Sequence, residues 1–104
     1  MKDLVSKYIP MTEATFYILL FLQQEDHGYA ISKKTAELTN NEVRLPPGTM
    51  YGALSKLEKD GLIEVVRTEN KRKIYKLTSQ GQNILDLEKA RIARLYANSK
   101  GEKL

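Results

Sequence analysis

Apolar residues recur along this chain in short stripes separated by polar breaks, and the character of the stripes changes partway along it. Leu4, Val5, Tyr8 and Ile9 suit a short helical turn, which Pro10 closes by restricting the residue before it. Thr12 followed by Glu13 has the form of a helix start, and predicts a helix from there to about Gln24. Apolar residues surround that helix from Ala14 to Leu22, as in a helix central to a core or one with a face left for a partner subunit. A polar break ending in Gly28 precedes a second pattern, with Tyr29, Ile31, Ala36 and Leu38 as its apolar positions, and predicts a helix from Tyr29 to about Leu38. After a loop at 39–42, Pro46-Pro47-Gly48 announces a third helix over Gly48 to Asp60. Met50, Leu54 and Leu57 form its buried stripe at i, i+4 and i+7, and Gly61 is placed to stop it.

From Leu62 the signal turns to β. Leu62 to Val66 and Lys73 to Leu77 are rich in branched residues and flank a charged interval, which predicts a hairpin with its tip at Thr68 to Arg72. Ser79 with Gln82 has the form of a capping box, opening a last helix over about 80–98. The expected fold class is therefore mostly α with a small β-hairpin (α+β). Three short helices followed by a hairpin is the order of a winged helix-turn-helix, whose third helix enters the DNA major groove while the hairpin tip flanks it on the backbone. At 104 residues one domain is expected. Its parts are an N-terminal segment 1–11, a winged-helix body 12–78, a C-terminal dimerisation helix 79–98 and a tail 99–104.

Charge sharpens this reading. The formal net charge is +4, but residues 1–45 carry five Lys or Arg against six Asp or Glu, whereas residues 46–104 carry twelve against seven. The basic character thus lies in the second half, which is compatible with nucleic acid, although mild basicity is also common among proteins that never touch it. Absence of cysteine removes disulfides, thiolate nucleophiles and cysteine-based sensing. The longest apolar run, Phe16 to Leu22, is far shorter than the roughly 20 residues of a membrane span. With no signal-peptide pattern at the start, a cytoplasmic location without membrane contact is expected. His27, the only histidine, has no histidine partner for a metal, and neither paired carboxylates nor a nucleophile or phosphate-loop pattern is present. No enzyme activity, cofactor or metal is expected, and His27 is read as a packing or hydrogen-bonding residue at a helix start.

Four stretches then bring a family into view. His27-Gly28-Tyr29-Ala30-Ile31 resembles the HGY element of the PadR family of transcriptional regulators, and Leu45-Pro46-Pro47-Gly48-Thr49-Met50-Tyr51 its PGT-hydrophobic-Tyr element. Leu57-Glu58-Lys59-Asp60-Gly61-Leu62-Ile63 resembles the LExxGLI turn into the wing, and Arg72 to Thr78 the RKxYxLT strand leading to TxxG. The resemblance covers about Thr12 to Leu85; one departure is Pro46, which stands where a serine cap is expected. It implies a dimeric repressor, of the short form with a single C-terminal helix, that is released by phenolic or other aromatic, often toxic, compounds.

The residues expected to meet DNA are Thr49, Tyr51, Gly52, Ser55 and Lys56 on the third helix, and Lys71, Arg72 and Lys73 on the hairpin. Leu4, Tyr8, Leu85, Ile92, Leu95 and Tyr96 are the expected dimer contacts, because the body needs only a turn or two of the last helix. Two-fold symmetry then fits a pseudo-palindromic operator. An effector pocket between subunits is expected at Phe16, Leu19, Ile92 and Tyr96. The competing reading is a winged helix that binds protein without DNA, for which a basic hairpin has no evident use.

Overall fold

The computed structural model describes residues 2–104; Met1, the first residue of the expected N-terminal segment, lies outside the described residues. In chain order they form α1 (Lys2–Tyr8), α2 (Glu13–Phe21), α3 (Gly28–Leu38), α4 (Pro47–Lys59), β1 (Ile63–Glu69), β2 (Arg72–Leu77) and α5 (Ser79–Ser99). Thr12 caps α2 as expected, its Oγ1 accepting the Thr15 N–H at 3.2 Å. The helix ends at Phe21 and not near Gln24, because the hairpin captures the next residues. The Leu22 carbonyl accepts the Leu77 N–H at 2.9 Å, and Asp26 exchanges both backbone hydrogen bonds with Tyr75 at 3.1 and 2.8 Å. A tertiary ladder bond thus overrides the local helical pattern.

His27 caps α3, which starts at Gly28, one position before the expected Tyr29; its Nδ1 accepts the Ala30 N–H at 3.2 Å. The buried row of α3 is Gly28, Ile31 and Thr35. Tyr29, rotated about 100° from Gly28, is exposed, and so is Leu38 in the last turn, so these two apolar positions of the pattern do not join the core. Helix α4 opens one residue earlier than expected, at Pro47. Pro46 makes no side-chain capping bond, and its carbonyl takes the Met50 N–H at 2.9 Å. Met50, Leu54 and Leu57 are buried, and Gly61 adopts φ +77° where the chain turns into β1.

The hairpin is longer and its tip tighter than expected. Pairing continues to Glu69 opposite Arg72, so only Asn70 and Lys71 form the turn, and Arg72 and Lys73 lie on β2. Both turn residues have positive φ, 50° and 66°, as in the two-residue turns whose twist matches that of the strands. A bulge at Val66 shifts the register between Val65–Tyr75 and Arg67–Ile74.

Thr78, not Ser79, caps α5. Its Oγ1 accepts the Gly81 N–H at 3.1 Å and donates to the Gly61 carbonyl at 2.6 Å, while the Gln82 side chain bonds Gln23 and Asp86 instead of closing a capping box. The start of α5 sits so close to β1 that a Cβ on Gly81 would lie 2.0 Å from the Leu62 carbonyl oxygen.

The core joins Ile18, Leu19 and Leu22 to Ile31, to the α4 stripe, and to Leu62, Ile63, Ile84 and Leu85. This packing corrects three expectations. Leu19, assigned to an effector pocket, and Leu85, assigned to a dimer contact, are fully enclosed by their own chain and have no surface left for a ligand or a second subunit. Tyr8, also assigned to the dimer, is buried in the same core, and its hydroxyl donates to Asp60 Oδ2 at 2.5 Å. Leu4 is half-buried against this cluster. Glu88 is only 1% exposed; it accepts two bonds from the Arg91 guanidinium, at 2.6 and 2.8 Å, and the Met11 N–H at 2.9 Å.

Candidate nucleic-acid interface

Burial of Met50, Leu54 and Leu57 turns the opposite face of α4 to solvent, and Thr49, Tyr51, Gly52, Ser55 and Lys56 are all exposed on it. These five do not share one surface. Tyr51 and Ser55 line a cavity of about 320 Å³ whose other walls include His27 and the hairpin cations Lys71, Arg72 and Lys73. Thr49, Gly52 and Lys56 line a separate cavity of about 300 Å³, against Tyr8, Met11 and Thr12 where α1 ends and α2 begins. Nothing lies within 4 Å of a Cβ built on Gly52 or Gly48, so tight packing within the chain does not explain Gly52. Its backbone is open to close approach from outside.

Lys56 is drawn aside from the centre of the face. Its Nζ stands 5.4 Å from the Tyr8 ring centroid, next to an anionic centre at Asp60. The Asp60 carboxyl is held below the usual range first by the Tyr8 hydroxyl and then by Lys7, whose Nζ is 2.9 Å away. Burial, and then the same carboxylate, push the Tyr8 phenol up. This cluster ties α1 to the C-terminal end of α4.

On the other flank, the Arg72 guanidinium lies 5.2 Å from the Tyr29 ring centroid, and that ring stacks on His27 at 6.5 Å. Because His27 Nδ1 accepts the helix-capping bond, the neutral ring carries its proton on Nε2. The hydrogen-bonding role at a helix start expected for His27 is thus the one it has, and it is also a wall of the cavity. Sequence reasoning gave it no place in the candidate site; the only signal was its position directly before Tyr29.

Ion pairing separates the cations into two groups. Arg67 is bound to Glu25 and Glu69, Arg91 to Glu88, Lys34 to Asp26 and Lys7 to Asp60. Among the described residues, Lys71, Arg72 and Lys73 have no carboxylate within ion-pair distance, which leaves their charge available to an external anion.

The dimer and effector residues distribute differently. On α5, Ile84, Leu85 and Glu88 face the core, and the same side of the helix continues into Ile92, Leu95 and Tyr96, which are 40%, 46% and 66% exposed. Phe16 sits half-buried against the core cluster, with its ring 5.5 Å from that of Tyr17. No helix of the described residues is long and apolar enough to cross a membrane, and among them no group of three or more His, Cys, Asp or Glu could hold a metal.

The model of the transcriptional regulator PadR-like family matches residues 18–87, which is most of the chain. The chain belongs to the PadR-like family. Its family is thus one of transcriptional regulators, not of enzymes. The PadR-like chain is similar to a PadR family transcription regulator of Clostridium difficile, with 29% identity and a TM-score of 0.70 over 85% of this chain and 97% of that one. It is also similar to Bacillus subtilis PadR in complex with operator DNA, with 27% identity and a TM-score of 0.63 over 69% of this chain and 44% of that one. Among curated proteins, an uncharacterized 37.1 kDa protein of transposon TN4556 from Streptomyces fradiae is 35% identical over 69 residues. That stretch is 66% of this chain and spans only 19% of the relative's length.

Proposed function

We propose that this chain is a sequence-specific DNA-binding repressor that acts as a homodimer on a pseudo-palindromic operator. One observation carries the reading: Tyr51 and Ser55 of α4 share a cavity with hairpin cations that, among the described residues, no carboxylate neutralises, and the exposed backbone of the same helix is open to approach at Gly48 and Gly52. A reading helix needs backbone access to the groove, and flanking cations release counterions from phosphates. The operator complex of the Bacillus subtilis relative supports the same assignment. Thr49, Tyr51, Gly52, Ser55 and Lys56 meet the groove, and Lys71, Arg72 and Lys73 meet the backbone.

Ile92, Leu95 and Tyr96, with Leu4 at the edge, supply the dimer contact. Roughly half of the Ile92 and Leu95 surfaces is uncovered, so a partner helix would gain about 1 kcal/mol from each. An aromatic effector bound between subunits near Phe16, Ile92 and Tyr96 releases the operator by changing the spacing of the two reading helices.

Titration of an operator selected from random duplexes, against a scrambled duplex at several salt concentrations, tests the core of this reading. Lys73→Gln should weaken both duplexes alike and flatten the salt dependence by about 0.9 for each phosphate no longer neutralised. Ser55→Ala should instead narrow the preference for operator. A wild-type chain without preference for any duplex, or a monomer at micromolar concentration by analytical ultracentrifugation, refutes the respective half of the proposal.

A further inference from the structure

The cavity between α4 and the hairpin does not end at Tyr51. Tyr51 and Gly28 also line a second hollow of about 230 Å³, which reaches Tyr29, Ser32 and Leu45. Those three in turn line a third, of about 520 Å³, whose far rim carries Lys33 and Arg44. Three hollows with shared walls thus follow one another past the N-terminal end of α4. At one end stand the hairpin cations; at the other stand Lys33 and Arg44.

The two ends share an electrostatic property. Lys34, the next residue along α3, is bound to Asp26 at 2.5 Å, but among the described residues neither Lys33 nor Arg44 lies within ion-pair distance of a carboxylate. Between the ends, Tyr29 is 58% and Tyr51 54% exposed, and neither hydroxyl bonds to another described residue. A groove with cations at both ends and hydroxyl donors between them complements a chain of phosphates, which presents an anion about every 3.4 Å of helix axis per strand. A small anion would need one end only.

We infer that this groove holds the backbone of one DNA strand, with Lys33, Arg44 and Tyr29 binding phosphates on the far side of α4 from the wing. Each subunit then grips the backbone on both sides of its reading helix, with the helix before it in the chain crossing the backbone as such motifs do. The inference rests on the DNA-binding reading above.

Salt titrations of the full chain on the selected operator and a scrambled duplex test it, with circular dichroism confirming the fold. The Lys33→Gln/Arg44→Gln double variant should lose affinity for both duplexes by a similar factor and flatten the slope by about 0.9 for each phosphate no longer neutralised. Lys34→Gln, whose cation is already neutralised, should leave the slope unchanged. Tyr29→Phe should weaken binding without changing the slope, because a neutral donor releases no counterion. Phosphate-ethylation interference on the operator should show positions whose effect disappears in the double variant and persists in Lys73→Gln. If Lys73→Gln flattens the slope while the double variant does not, the groove is not a strand track and the DNA-binding reading stands. If wild type binds neither duplex, both readings fall.

Discussion

Lys71 occupies the second position of the two-residue hairpin turn at φ +66°, where a side chain crowds the backbone and glycine is favoured. For an L residue the left-handed region costs roughly 1–2 kcal/mol. Glycine removes that cost but loses about 0.5–1 kcal/mol more chain entropy on folding. Lys71→Gly should therefore raise stability by a net of about 0.5–1 kcal/mol. In a domain of this size that corresponds to a Tm about 2–4 °C higher. The same change removes a cation from the hairpin tip, so DNA binding should weaken and its salt slope flatten by about 0.9 for each phosphate no longer neutralised. Opposite signs make the experiment diagnostic, since damage to the fold would lower both stability and affinity. Thermal unfolding by circular dichroism and salt titrations on a scrambled duplex supply the two measurements. A Tm at or below wild type would show that Lys71 is not strained. An unchanged slope would show that the strained lysine does not meet phosphate.

Gly81→Ala should cost about 2–3 kcal/mol in urea unfolding, because the new Cβ meets a backbone oxygen at 2.0 Å and no side-chain rotation relieves it; full tolerance would contradict the seating of α5 on the Leu62 turn. Glu88→Gln keeps an acceptor for Met11 but leaves Arg91 without its anion, and should destabilise by about 1–3 kcal/mol at neutral pH. The Glu88 carboxyl is held below its ordinary range first by Arg91 and then by the Met11 N–H. A lowered native pKa contributes stability that is complete above the unfolded value and is lost as pH falls through the native one. Wild type should thus lose its advantage over Glu88→Gln on acidification below the ordinary glutamate range, and an advantage that persists in acid would rule out ionisation as its source.

Most elements were legible because each carries its own local signal. Thr12, the Met50-Leu54-Leu57 row and Gly61 mark helix ends and faces without help from the rest of the chain. What the sequence concealed was decided by distant partners. The Leu22 to Gln24 stretch looked helical, but the Leu22 carbonyl is taken by β2. Thr78 and Ser79 are equally good caps by chemistry, and only the Gly61 carbonyl selects Thr78. Leu85 and Ile92 stand on one stripe, and periodicity cannot say where along α5 the chain's own core stops covering it. At the candidate site, Lys71, Arg72 and Lys73 were conspicuous as a run. Lys33 and Arg44 were not, since they are eleven positions apart in sequence and meet only across the α3–α4 groove.

The Val66 bulge grades the wing mechanically. Inboard of it, the root is clamped by the Leu22 and Asp26 backbone bonds, and Arg67 at the bulge is tied to Glu25. Outboard, the Arg67–Ile74, Thr68–Lys73 and Glu69–Arg72 pairs lead to the turn, and Arg72 lies over the Tyr29 ring of α3. The root is therefore fastened to the body that carries α4 by backbone bonds that the tip lacks. On the DNA-binding reading proposed above, a duplex whose groove width varies with flanking sequence would be followed by the less fastened tip, without tilting α4. On that reading, the backbone contact and the seating of α4 fall to different lengths of one hairpin.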